Sequence, residues 1–178
     1  DDTTIAGTST VAELTVGSAG HITDDVNSHL VIAGTLRLTS NGEIILADTS
    51  TSSLDVGGLL HLVAQADIAV GVDASFVADS NAIVHTGQLT FQTPSGSVVF
   101  FADSSIQLTG ANLAADVVLT STLLGGEITN TNLTQLTISG ETSLTADTII
   151  LGSAIDDQIV LGTIVVEGDD VTVRENDA

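Results

Sequence analysis

One segment of this chain is written twice. Ile22-Thr23-Asp24, Leu30-Val31-Ile32-Ala33-Gly34 and Leu36-Arg37-Leu38-Thr39 reappear as Ile128-Thr129-Asn130, Leu136-Thr137-Ile138-Ser139-Gly140 and Thr142-Ser143-Leu144-Thr145. Leu30 and Leu136 stand 106 residues apart, while Ile44-Ile45-Leu46 meets Ile149-Ile150-Leu151 at 105. A fixed period marks repeat architectures, in which each unit buries its apolar face on a neighbour. The 178 residues hold about 1.7 copies of a roughly 105-residue unit, a diverged copy over 1–84 and a clearer one over 85–178. Together they read as a single solenoid segment, 1–178.

Within each copy, apolar and polar residues alternate with period two, as in Leu36-Arg37-Leu38, Leu60-His61-Leu62, Leu89-Thr90-Phe91 and Val171-Thr172-Val173. Such runs are short strands with one buried face, and the turns between them carry Gly, Asn, Asp and Ser. No stretch has a sustained 3.6-residue period, so no helix is expected. Strands repeatedly run into an acid, at Asp25, Asp48, Asp73 and Asp103, with spacings of 23, 25 and 30. About 22 to 27 residues make one coil of a three-sided parallel β-helix, which predicts about seven coils. At about 4.8 Å per coil the rod is roughly 35 Å long, right-handed by the usual chirality of parallel crossovers. Its lumen is expected to hold Leu30, Ile32, Leu36, Leu38, Leu60, Leu62, Leu136, Ile138, Leu144 and Ile149. The all-β alternative is a β-sandwich of Greek-key strands, distinguished by antiparallel ladders.

Composition agrees with stacked strands. Hydrophobic residues make up 43% of the chain, almost all Val, Ile, Leu and Ala, with four Phe and no Trp, Tyr or Met. Small branched side chains fill narrow layers between sheets. Lys and Arg total 2 against 23 Asp and Glu, a net charge of −21. Nucleic acid and anionic membranes need a basic footprint that is missing here. The longest apolar run, Val98 to Ala102, is far short of the roughly 20 residues of a membrane-spanning helix, so no membrane insertion is expected. Asp1-Asp2-Thr3-Thr4 is neither a start Met nor a signal peptide, which reads as the beginning of a processed or excised chain. If residue 1 followed residue 178, Gly7 would lie 12 positions after Val173, as Gly110 lies 12 after Val98. That phase match predicts neighbouring copies or repeats of the same chain, joined head to tail.

Leu108-Thr109-Gly110-Ala111-Asn112-Leu113-Ala114-Ala115, Ile128-Thr129-Asn130, Leu136-Thr137-Ile138-Ser139-Gly140, Ile149-Ile150-Leu151-Gly152-Ser153-Ala154 and Val171-Thr172-Val173-Arg174-Glu175-Asn176 together form a pattern. It resembles the β-strand repeats of giant secreted bacterial surface proteins, and more distantly filamentous-haemagglutinin-type adhesins. The resemblance implies an extracellular, cell-surface solenoid with a scaffolding or adhesive role and no catalytic residues.

Three chemistries bear on the acidic, histidine and basic residues. Calcium wants six to eight oxygens, and the paired carboxylates Asp24-Asp25, Asp156-Asp157 and Asp169-Asp170 are the candidate ligands. Gly152 to Val160 keeps only part of the Gly/Asp nonapeptide of calcium-loaded β-rolls and occurs once. The opposing reading is of solvated acidic turns. Zinc finds no Cys and no His pair at ligand spacing among His21, His29, His61 and His85, although His61 and His85, 24 apart, are expected to stack in successive coils. Carbohydrate cleavage on a β-helix needs a carboxylate cluster with a basic residue, and Arg37 and Arg174 are the only basic side chains besides the histidines. The expectation is therefore a non-enzymatic stalk, spacer or filament segment, with a calcium-dependent adhesin or carbohydrate-binding module as the alternative.

Overall fold

The computed structural model describes residues 1–49, 51–71 and 83–175; Asp73 and Asn176, both used in the sequence reading, lie outside them. The chain winds through nineteen strands without a helix among the described residues. Every ladder is parallel. That rules out the Greek-key sandwich, whose neighbouring strands run antiparallel, and leaves a β-solenoid of about seven coils.

Three faces result. The first stacks β1 (Thr3–Ile5), β4 (Ile22–Asp24), β7 (Ile44–Leu46), β9 (Ile68–Val70), β11 (Ser97–Ala102), β14 (Asp116–Ser121) and the second halves of β16 (Gln135–Thr145) and β18 (Gln158–Glu167). The second stacks β2 (Thr8–Val11), β5 (His29–Ile32) and the first halves of β8 (Ser53–Ala64) and β10 (Ile83–Gln92), and is continued in chain order by β12 (Ile106–Leu108), whose Leu108 lies over Leu89 in the second half of β10, then by β15 (Glu127–Asn130), β17 (Thr148–Leu151) and β19 (Asp170–Val173). The third stacks β3 (Leu14–Ser18), β6 (Leu36–Ser40), the second halves of β8 and β10, β13 (Ala111–Ala114) and the first halves of β16 and β18.

Period-two alternation sends one set of side chains into the lumen. On the first face Ile22, Ile44, Ile68, Val98, Val117 and Thr142 lie directly over one another, spaced 22, 24, 30, 19 and 25 residues apart. The coil is thus more variable than the expected 22 to 27 residues, because corners absorb insertions while ladders do not. All ten expected lumen residues are buried, and Phe91 and Phe100 are the largest fully buried side chains. Asn112 is a polar exception on the third face. Its Oδ1 accepts from Phe91 N–H at 3.1 Å, where β10 passes from one partner strand to the next across the Thr109–Gly110 turn. The 30-residue coil also moves the histidines: His85 lies over Asp55 and His61 under Thr90, so His61 and His85 do not stack.

The two sequence copies fold alike but on different faces. Ile22 is on the first face and Ile128 on the second; Leu30 is on the second and Leu136 on the third; Leu36 is on the third and Thr142 on the first. One unit therefore advances four coils and one face. Local structure survives the rotation in detail. Asn27 and Leu133 both take a left-handed φ of 65°. Asp24 Oδ1 accepts from Ala47 N–H at 3.1 Å, and Asn130 Oδ1 from Gly152 N–H at 2.9 Å. Ser53 N–H donates to Ser28 O and Gln158 N–H to Thr134 O, each at 2.9 Å.

Candidate functional site at the corners and the two open ends

At each corner one face gives way to the next, and coils of unequal length leave a backbone N–H without a carbonyl above or below it. Such an N–H takes its acceptor from water or from a side-chain oxygen, and where it is buried an unmet one costs as much as a lost hydrogen bond. Acidic side chains supply that oxygen repeatedly between adjacent coils. Asp2 accepts from His21 N–H at 2.9 Å, Asp67 from Ser97 N–H at 2.7 Å and Asp116 from Glu141 N–H at 2.8 Å. Asp147 accepts from Gly125 N–H. The excess of acid over base has a structural use: these carboxylates stand in for missing ladder carbonyls.

The six candidate calcium ligands divide accordingly. Asp24 faces the lumen side of its strand, over Ile5, and accepts from Ser28 Oγ as well as from Ala47 N–H. Burial pushes its pKa up; the Ser28 and Ala47 hydrogen bonds oppose the shift without cancelling it. Asp25 is exposed and accepts from Val26 N–H at 2.8 Å. Asp157 is buried, with Oδ1 accepting from Thr134 N–H at 3.2 Å and Oδ2 from Ala154 N–H at 2.9 Å, while its neighbour Asp156 is exposed. Asp169 and Asp170 are exposed, and their N–H groups both donate to Asp147 O, at 2.9 and 3.1 Å. Among the described residues no three His, Cys, Asp or Glu side chains converge as a metal-binding group.

Sequence reasoning treated these acids as pairs and missed their separate roles. The repeat itself carried the signal. Where one copy has Asp24 the other has Asn130, doing the same job with a neutral amide, so the position requires an oxygen acceptor and no charge.

Two histidines, His61 and His29, are tied into outward ladders. His61 Nδ1 lies 2.6 Å from Thr90 Oγ1, and His29 Nδ1 lies 2.8 Å from Ser53 Oγ. Burial, assisted by the positive Arg37 beside it on the preceding coil, holds the His61 pKa below its ordinary value. A groove of about 300 Å³ near one end is lined by Ser121, Thr145, Ala146, Asp147, Glu167, Gly168 and Asp169.

The ends differ from everything between them. Interior strands have ladder partners above and below, except the first half of β10, which is met on its far side by Asp103 N–H and Ser104 Oγ instead of a strand, but β1, β2 and β3 pair only with β4, β5 and β6. At the other end the second half of β18 and β19 pair only with β16 and β17, and the first half of β18 only with β16. Lumen-facing side chains become accessible here: Val11 at one end, and Ile164, Val166 and Val171 at the other, are 38 to 40% exposed, whereas Ile32, Leu144 and Ile149 on the same ladders are at most 1% exposed. Glu175 Oε1 accepts from Leu161 N–H at 3.0 Å, another carboxylate standing in for an absent strand. Such edges are templates for further strand pairing. No family model, curated protein or solved structure matches this chain.

Proposed function

We propose that the chain is a non-enzymatic structural segment, working outside the cell as a stalk, spacer or filament unit that lengthens by stacking β-solenoid coils end to end. One observation carries the reading: both ends leave three parallel strand edges and an apolar lumen without a covering layer. Adding a coil there would bury aliphatic surface worth roughly 25 cal/mol per Å² and pair the open N–H and C=O groups. The acidic outer surface, at net charge −21, opposes side-by-side association and leaves the axis as the favourable direction of growth. The resemblance to secreted bacterial β-strand repeats supports the extracellular placement.

Sedimentation velocity and negative-stain microscopy over a wide concentration range test this reading. Rods whose lengths are multiples of about 35 Å are expected. A chain that stays a single rod at millimolar concentration refutes it.

A further inference from the structure

The ends are steps of a spiral, and steps fit together in one way. The chain visits the first, second and third faces in order, rising by one coil, about 4.8 Å, per circuit. The open edges at one end therefore ascend from β1 through β2 to β3. Those at the other end ascend from the first half of β18, on the third face, through its second half, on the first face, to β19 on the second.

Resting on the end-to-end reading, we infer that the partner at this end is a second copy of the chain turned by one face, with its β1 on the first half of β18, its β2 on the second half and its β3 on β19. In that orientation all three new ladders have the spacing of one coil. Stacking first face on first face pairs only two, because β3 then hangs about two coil heights, roughly 9.6 Å, above the first half of β18. The third orientation pairs only one. Chain direction matches throughout, since every strand within the solenoid is parallel to its neighbours.

The side chains agree with this register. Thr3 and Ile5 of the incoming copy continue the inward positions Ile159 and Leu161, 22 residues behind them in a continuous count, within the spacings seen inside the solenoid. Leu14 and Val16 come to rest over Val171 and Val173, and Val11 over the Ile164–Val166 strand. The Glu175 carboxylate on Leu161 N–H gives way to a backbone carbonyl of β1. The one-face turn between copies repeats the device already present between the two halves of this chain, where one unit also hands its strands to a different face.

Disulfide trapping reads the orientation directly, because the chain has no cysteine. Thr4 and Val160 face outward and become neighbours in the turned register, whereas Thr4 and Val165 become neighbours in the unturned one. Adjacent strands lie within the Cα separation a disulfide accepts. Thr4→Cys mixed with Val160→Cys under mild oxidant is expected to give mixed dimer at least tenfold faster than Thr4→Cys mixed with Val165→Cys. Faster trapping with Val165→Cys overturns the turned register while leaving end-to-end stacking intact. Trapping with both at the rate of the urea-unfolded chains overturns stacking itself.

Discussion

Thr142 fills a lumen position with a hydroxyl that finds no partner. It lies fully buried on the first face, between Val117 of one coil and Ile164 of the next, and the other copy of the repeat has Leu36 at its position. Among the described side chains its Oγ1 is the buried polar atom without a hydrogen-bond partner. A hydroxyl held this way costs about 1–3 kcal/mol, so Thr142→Val, which puts a methyl group where the hydroxyl was, should stabilise by roughly 1–2 kcal/mol. For a chain of this size that is about 2–8 °C in melting temperature. Thr142→Ser keeps the orphan hydroxyl and opens a methyl-sized void, and should destabilise by about 1 kcal/mol. Because a stack opens coil by coil, the gain concentrates in the coils around Thr142. Urea unfolding followed by circular dichroism gives the global figure, and amide exchange at Val117, Leu144 and Val166 the local one. A Val variant no more stable than the parent, with an unchanged urea slope, would show that the hydroxyl carries no penalty.

Asp24→Asn keeps the acceptor for Ala47 N–H and removes a charge that burial disfavours. Since the folded pKa is raised, Asp24's stabilising contribution is complete below the ordinary carboxylate value and is lost as pH rises through the raised one. The Asn variant should therefore match the parent in acid and exceed it at pH 7, a difference read from paired urea titrations across pH 3 to 7. Asp157→Ala orphans two backbone N–H groups, Thr134 and Ala154, and should cost about 2–4 kcal/mol in urea unfolding, against less than about 0.5 for the exposed neighbour in Asp156→Ala. Leu133 is 68% exposed with φ 65°, a strained choice where the other copy has Asn27, so Leu133→Asn should raise stability by about 0.5–1 kcal/mol, measured by thermal melting.

The strands and their inward faces were legible because alternation and burial follow the same period: Leu30, Ile32, Leu36 and Leu38 are inward in the sequence pattern and inward in the fold. Coil length was legible only as an average. The stretch from Ile68 to Val98 takes 30 residues and the next, to Val117, takes 19, and nothing in a strand's own sequence reports how far away its partner lies. That is why His61 and His85, spaced like one coil, ended on different neighbours. The one-face turn between copies was hidden for the same reason, since a 105-residue offset becomes four coils and a face only when the individual coils are known. The corner acids were visible as residues but not as acceptors. Which oxygen meets which orphaned N–H depends on the mismatch between two coils, and only the Asp24 and Asn130 exchange hinted that charge was incidental.

The stacking of one coil on the next is measured most directly by electron–electron double resonance between spin labels placed along one outward ladder, in protein diluted with unlabelled chain. Thr4 and Ser143 are six coils apart on the first face, and Thr4 and Val165 are seven. Backbone separations of about 29 and 34 Å are expected, each as one narrow population differing by the height of a coil. Equal distances for the two pairs, or broad distributions spanning both, would contradict a solenoid in which each coil lies over the last.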